Sequence, residues 1–555
     1  MKHLFTLFFI IGVSYCVIGQ TNYIATSPLS STPSTFNTFV GGYAGNLTMT
    51  GAQNVFVGYR SGIANATGEV SVFLGFGAGE NNTSGTANTF LGWSAGKQNS
   101  IGSYNVYTGV NAGANNYAGS ENVFNGLNAG YTNSYGSKNS FLGAYAGYSN
   151  QTGNNNTYIG KNAGYSNKDG YSNVFVGISA GYNASGNNIV AIGDSAGHNN
   201  SNSSNVYVGS KAGFSNGNGN NNAFVGTNAG YGNTTGQGNT FMGSGAGRLN
   251  GGSIFNTFVG YNSAYLRQTG NENTFIGTQA GFNSASGRDN VLVGFSAGAG
   301  QGSAANTGDH NTFVGSYSGL RNTSGAYNIF IGDGSAYNNS TGSNNIIIGP
   351  SSGTTITSSD DNVLMGYNSQ AEDGLKNAIA IGSNSRVAVS NAMILGNGVN
   401  VGIGTSAPTA RLEVVSDKPD HSGLKLTNLT NHSPVAHSSD QFLTVDGQGN
   451  VVKARYQLRI QDPAQWSDKV FTPGYSLKSL PAVEAYIQQH GHLPGVPSAQ
   501  QVTNQGVDLV TFNATLLEKI EELTLYSIQQ TKANQQLKAE VDELKRLMKT
   551  LSKKK

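Results

Sequence analysis

The chain predicts a mainly β architecture: a long parallel β-roll or β-solenoid, then a small mixed module, then a C-terminal α-helical coiled coil. Three observations carry this. A short phrase recurs about every 17 residues across 37–382, and self-similarity at a fixed period marks stacked-coil folds. The chain has 79 glycines and only 10% charged residues, about twice the usual glycine share and far below the quarter of charged residues common in globular domains. An apolar stripe near the end keeps heptad spacing, the pattern of helices that supercoil.

The elements follow in order. Met1, Lys2 and His3 precede an apolar run over 4–17, with small Gly19 behind it, the layout of a secretory signal peptide over 1–19. The run is shorter than the roughly 20 residues that span a bilayer. No second such run follows, so the expectation is export, a mature start near Gln20 or Thr21, and no transmembrane segment in the mature chain. Cys16, the only cysteine, lies inside the signal, leaving neither disulfide nor thiolate chemistry. Tyr15 stands where a lipoprotein signal needs a small residue. A formal charge of +2 with no basic stripe argues against nucleic acid, and Lys553, Lys554 and Lys555 read as a solvated tail. Residues 20–36 read as a linker.

The solenoid is expected over 37–402. Its phrase is Asn37-Thr38-Phe39-Val40-Gly41 with Ala44-Gly45 behind it, then Asn54-Val55-Phe56-Val57-Gly58 and onward. The apolar triplet is too short for a helix, is β-branched and aromatic, and is bracketed by turn formers, which together predict a short strand. Stacked at about 4.8 Å per coil, some twenty strands predict a rod on the order of 100 Å long. Side chains alternate along a strand, so Thr38 and Val40 face one way and Phe39 the other. Both faces are apolar. The aliphatic side suits a narrow interior, while the Phe ladder, from Phe39 through Phe241 and beyond, belongs either in that interior or at an interface between chains. The Asn before each triplet, such as Asn105 or Asn139, predicts a ladder bonding turn backbone and the same amide one coil away. The Ala-Gly pairs, such as Ala112-Gly113, mark turns too tight for a larger side chain.

Asn188-Ile189-Val190-Ala191-Ile192-Gly193 and Asn377-Ala378-Ile379-Ala380-Ile381-Gly382 resemble the head repeats of trimeric autotransporter adhesins, whose hallmark is an Asn-x-Val-Ala-Ile-Gly run. The resemblance covers about two thirds of the chain and implies a left-handed parallel β-roll that trimerises. Most copies here carry Phe or Tyr in place of the family's Ala, and the period is longer, which implies a larger or differently packed cross-section.

Beyond the repeats, residues 403–455 read as a β connector, with Arg411-Leu412-Glu413-Val414-Val415, Phe442-Leu443-Thr444-Val445 and an Asp446-Gly447 turn. Residues 456–510, with Trp466, a short helix around 481–490 and His492-Leu493-Pro494-Gly495-Val496-Pro497, resemble the C-terminal module of secreted tail-fibre-type proteins of Gram-negative bacteria. That likeness implies a role in assembling trimeric fibres. Residues 511–555 carry the heptads: Leu516, Leu523, Leu537, Leu544 and Leu551 at d, Ile520, Val541 and Met548 at a, and a polar middle of Ser527, Gln530 and Asn534. Leu516, Ile520, Leu523, Asn534, Leu537, Val541, Leu544, Met548 and Leu551 are the expected trimerisation residues.

Catalytic, cofactor and metal sites are not predicted. His490 and His492 lack a placed third ligand. Gly402-Ile403-Gly404-Thr405-Ser406-Ala407 matches a dinucleotide glycine pattern only loosely, and Asp194, Asp309 and Asp333 keep no calcium-binding period. Ser467 with Lys469 resembles a nucleophile pair only by proximity in sequence. The expected function is a secreted or outer-surface fibrous adhesion protein, homotrimeric, presenting its β-roll to surfaces or glycans. The alternatives are a phage tail-fibre-like protein with a self-processing chaperone and, more weakly, an ice- or sugar-binding solenoid.

Overall fold

A computed structural model describes residues 24–26, 36–46, 48–266, 269–300, 305–419, 421–427, 433, 441–455, 462–463 and 466–553. The expected signal peptide, 1–19, and Cys16 lie outside the described residues. The chain divides into two units, Met1–Gly423 and Leu424–Lys555.

The first unit is a parallel β-solenoid of about 21 coils. Each coil contributes one three-residue strand, from β2 (Thr38–Val40) to Val363–Met365, and successive strands pair in register, as in Val123↔Ser140, Phe124↔Phe141 and Asn125↔Leu142. The short strand β1 (Ile24–Thr26) pairs antiparallel with β2, so the first coil does not offer a bare sheet edge. Strands Ala378–Ile381 and Ala392–Leu395 continue the sheet at its other end, and Val401–Ile403 pairs with Leu412–Val414 in a small sheet of its own.

The central residue of each strand points inward. Phe56, Phe73, Phe90, Phe124, Phe224 and Phe241 are wholly buried, and neighbouring rings stack face to face, with Phe73 and Phe90 centred 4.7 Å apart and 5° from parallel. Burying a Phe is worth about 1.5–3 kcal/mol, and a ring pair adds roughly 0.5–1.5 kcal/mol. The open alternative for the Phe ladder therefore resolves to the coil interior. The aliphatic neighbours expected to fill that interior point outward: Val72 and Leu74 flank buried Phe73 and are each 42% exposed. Period-2 alternation separates the faces but does not say which is inside. The central position faces inward even where it is Ala191 or Ile347, so closure of the coil and not side-chain size sets the inner face, and a coil about 17 residues around has room there for a ring.

Two asparagine ladders close the coils. Asn122 accepts the backbone N–H of Asn139 on its Oδ1 and donates Nδ2 to the carbonyl of Gly136. This first ladder bonds turn backbone as expected. In the later coils it also forms the expected bond to the same amide one coil away, Asn273 to Asn256 at 3.0 Å and Asn345 to Asn328 at 3.1 Å. A second column adds another amide-to-amide chain, where Asn99 donates to Asn82, Asn116 to Asn99 and Asn133 to Asn116, at 2.6–2.9 Å. Buried amides of this kind are costly unless paired, and stacking identical coils pairs them. The glycines that close each strand are obligatory: a Cβ on Gly126, whose φ is +146°, would stand 2.5 Å from the carbonyl oxygen of Gly143. A Cβ on Gly113 would stand 2.5 Å from the Tyr107 ring, which bears out the tight Ala-Gly turn.

The second unit holds an antiparallel hairpin, Gln441–Val445 with Val451–Arg455, around an Asp446 turn. A 3-10 turn spans Ser467–Phe471, followed by α1 (Leu480–His490), α2 (Ala499–Gln505) and α3 (Leu509–Ser552). Pro481 opens α1 and Gly491 ends it in the left-handed conformation, the usual asymmetry of helix ends. Asp508 caps α3 by accepting the Thr511 N–H at 2.8 Å. The 44 residues of α3 make a helix of about 66 Å.

Candidate functional site

The candidate sites are surfaces, and three are built by repetition. The first is the outward side of the strands. Across the twenty strands from Thr38–Val40 to Val363–Met365, no outward position carries a charge, and polarity enters only through Thr, Ser140 and Asn125. Many of these residues are exposed, among them Leu91, Val123, Leu142, Ile159, Met242 and Ile276. A strip of strands about 10 Å wide and about 100 Å long presents on the order of 1,000 Å². The largest apolar patch on a typical monomer is about 300–600 Å², and each partner in a standard interface buries about 800 Å².

The second surface is the heptad seam of α3. Ile520, Leu523, Leu537, Leu544, Met548 and Leu551 are 58–70% exposed, Leu516 and Val541 are 40% exposed, and Asn534 lies among them in the open. The helix packs on its own unit with the opposite side. Ala514 and Glu521 are buried there, Glu518 bonds Lys469 at 2.9 Å, Lys519 bonds Glu522 at 2.8 Å, and the Tyr475 hydroxyl donates to Glu522. Burial pushes the Glu518 carboxyl up, but Lys469 and Lys519 outweigh it and hold the group below the ordinary carboxylate range. Its contribution is therefore present above that range and is lost as pH falls through the lowered value. The predicted a and d residues thus share one face and are left uncovered.

The third surface went unread in the sequence. One side chain follows each Ala-Gly turn, or Ser263-Ala264 in one coil, and in ten successive coils it is partly exposed: Tyr131, Tyr148, Tyr165, Tyr182, His198, Phe214, Tyr231, Arg248, Tyr265 and Phe282. The rings stack at 4.8–5.4 Å. The Arg248 guanidinium fills its place in the series, 5.6 Å from the Tyr231 ring centre and 5.2 Å from that of Tyr265, a cation–π geometry. The signal was the 17-residue spacing of Tyr131, Tyr148, Tyr165 and Tyr182, hidden because attention to the strand phrase leaves turn residues as filler.

The weaker candidates come apart. His490 and His492 lie near one another, with ring centres 6.2 Å apart, but among the described residues no three His, Cys, Asp or Glu side chains are grouped to hold a metal ion. Lys469 is committed to Glu518. Gly402 to Ala407 run from strand Val401–Ile403 into a turn, with no helix behind them. No helix among the described residues is long and apolar enough to cross a membrane. No family model, curated protein or solved structure matches the chain.

Proposed function

We propose that the chain is a secreted or outer-surface fibrous structural protein that assembles as a homotrimer and presents its solenoid for attachment to surfaces or glycans. The observation that carries the reading is the charge-free outward strand face. A monomer would gain solubility from charges there, and none is present over twenty coils. Self-association through this face removes an apolar area of interface size from water. The open heptad seam of α3 supports the same reading, since an isolated helix draws little stability from propensity alone and an apolar a/d stripe is satisfied by like helices.

Sedimentation equilibrium of the exported chain tests the assembly. The expected mass is three chains, and a stable monomer at micromolar concentration sinks the proposal. Intact mass of the same sample tests export and processing together. A start near Gln20 with the C-terminus retained supports a simple fibre, whereas loss of the part beyond Ser467 supports the self-processing alternative.

A further inference from the structure

We infer that the outer ring ladder is a track for a neutral, extended β-1,4-linked polysaccharide, lying along the solenoid axis at about one sugar per coil. The inference rests on the attachment reading and names the ligand class for it.

The ladder is not a requirement of the coil. The same position holds Asn46, Ile63, Glu80, Lys97 and Ala114 in the coils before it, and Ala299, Leu320 and Thr354 in coils after it, while strand pairing is unchanged throughout. Planar side chains fill the position without a break only between Tyr131 and Phe282. Stacking alone makes such a row stable, but four successive tyrosines put phenol oxygens on it that stacking does not need. Among the described residues none of the hydroxyls of Tyr131, Tyr148, Tyr165 and Tyr182 is hydrogen bonded within the chain. The residues next along the chain are hydroxyls and amides, Thr132, Ser149, Ser166, Asn183 and Asn199, and the last two bond to each other at 3.0 Å.

Geometry and charge then select the ligand. Rings stacked within a few degrees of parallel, as Tyr148 and Tyr165 are at 4°, hide their faces and present their edges, which carry the positive rim of the ring quadrupole. Such edges, alternating with phenol oxygens, suit the oxygen-rich flank of a sugar chain better than an apolar peptide face. Arg248 is the one formal cation in the row and no acid stands in it, which disfavours a polyanion, whose binding needs many basic contacts. The step of 4.8–5.4 Å is close to the rise of one residue in an extended β-1,4-linked glycan; neighbouring sugars in such a chain face opposite ways, so each ring edge meets one sugar and every second sugar presents the same flank. Because faces are unavailable, each sugar contributes little and affinity accumulates along the polymer. Long chains bind; mono- and disaccharides do not compete.

The test is depletion of the mature full-length chain by cellulose and by chitin, with starch granules and heparin beads as controls. Two variants accompany it. One carries Tyr148→Ser, Tyr165→Ser and Tyr182→Ser, and the other carries Tyr→Phe at the same three positions, which keeps the stack and removes the hydroxyls. Expected are retention on cellulose or chitin but on neither control, a loss of tenfold or more in the serine variant, and a loss of about threefold in the phenylalanine variant. Amide protection of the inner strands should be unchanged in the phenylalanine variant, so its loss of binding reports the track and not the fold. Retention on neither β-1,4 polymer, equal retention on starch or heparin, or full retention by both variants overturns the track. Lost self-association of the chain in the serine variant, with no glycan bound, overturns it in favour of lateral packing between copies. Cell or surface attachment measured in parallel separates the two readings: attachment that survives in both variants leaves the attachment reading standing without the track.

Discussion

The two units solve the same problem of burial in opposite ways. In the solenoid the Phe at the centre of a strand is covered by its own coil and by the side chains above and below, so Phe124 and Phe241 are wholly buried within a single chain. In α3 the apolar residues at a and d are the exposed ones, and it is the acidic and small side chains Glu521 and Ala514 that are covered. A repeat fold therefore stabilises itself coil by coil, and its apolar outer face is surplus to folding. The long helix has no such surplus, because its apolar face is the part that its own unit leaves bare. In the proposed trimer, assembly would add to a solenoid that is already folded, whereas for α3 it would be the main source of stability.

The sharpest way to break that comparison is Phe241→Asp. Losing a buried aromatic costs about 3–5 kcal/mol, and a buried carboxylate without a partner adds to this. The ring stacks on Phe224 and Phe258 at 4.6 and 4.8 Å, so hydrogen exchange should rise over 222–260 and stay at its original level a few coils away. Because the ring lies inside the coil, the damage should be equal in assembled and dissociated protein. Unchanged protection in both would remove the ladder from the fold's support.

Leu544→Asp is the matching test of the helix. Leu544 is exposed in the single chain, so the substitution costs the lone chain almost nothing. In a seam of like helices it buries an uncompensated charge, which costs about 3–5 kcal/mol. Sedimentation and helical circular dichroism should fall together, with association weakened at least tenfold, while exchange in the solenoid is untouched. Full assembly of the variant would mean that α3 is not a seam.

These two positions also show what was legible in the sequence. The 17-residue period, the strand triplets, the Asn before them and the glycines after them are each forced by one local constraint, and each could be read. Which side of the strand faces inward could not: Phe73 and its neighbours Val72 and Leu74 are all apolar, and only closure of the coil decides between them. The second amide column, with Asn99, Asn116 and Asn133, was present at the same period but sits in a polar turn where Asn is expected for other reasons. At the heptads the reverse holds. The spacing marked Leu516, Ile520 and Leu523 as one face, and the structure leaves that face open without showing what covers it.

A smaller pair of substitutions separates ring from hydroxyl within the inner ladder. Tyr207 replaces Phe one coil after Ala191 interrupts the rings; its ring tilts 41° from Phe224, and its hydroxyl bonds Asn200 at 2.9 Å and accepts from Asn216. Tyr158 is equally buried, yet its hydroxyl has no hydrogen-bond partner among the described residues. Burial pushes its phenol far above the usual range. Asn173 eases this only partly, since its Nδ2 and Oδ1 are spent on the Gly186 carbonyl and the Ile189 N–H. Tyr207→Phe removes hydrogen bonds whose amide partners keep others, Asn200 Oδ1 with Asn205 and Asn216 Nδ2 with Gly219, so it should cost about 0.5–1.5 kcal/mol, and Tyr158→Phe should gain up to about 1 kcal/mol. Local exchange free energies in the two coils read the signs, and equal effects would show that the hydroxyls do not matter.

The smallest effect concerns the backbone. Every coil carries non-glycine residues in the left-handed region, at Val70, Ala87, Tyr104, Glu121 and Lys138 among others, with φ between 55° and 60°. Nothing in that column of side chains marks the turn, because glycine is not preferred there. Val70 is the worst suited of these, since a β-branched residue at positive φ is a genuine outlier. Its side chain is 52% exposed, so little packing is lost on removing it, and its N–H still reaches the Ala52 carbonyl. The left-handed conformation costs an ordinary residue about 1–2 kcal/mol. Glycine gives back roughly 0.5–1 kcal/mol of that through the freedom of its unfolded chain. Val70→Gly should thus stabilise its coil by up to about 1 kcal/mol, read by exchange over 54–91. Val72→Gly, two residues along and in the strand Val72–Leu74, should instead destabilise the same coil by roughly 1 kcal/mol, because there glycine adds only entropy cost and removes an apolar contact. The same substitution with opposite signs two residues apart would establish that the coil's shape is imposed by stacking on its neighbours against the preference of its own residues, and two losses would show that Val70 makes contacts worth more than its strain.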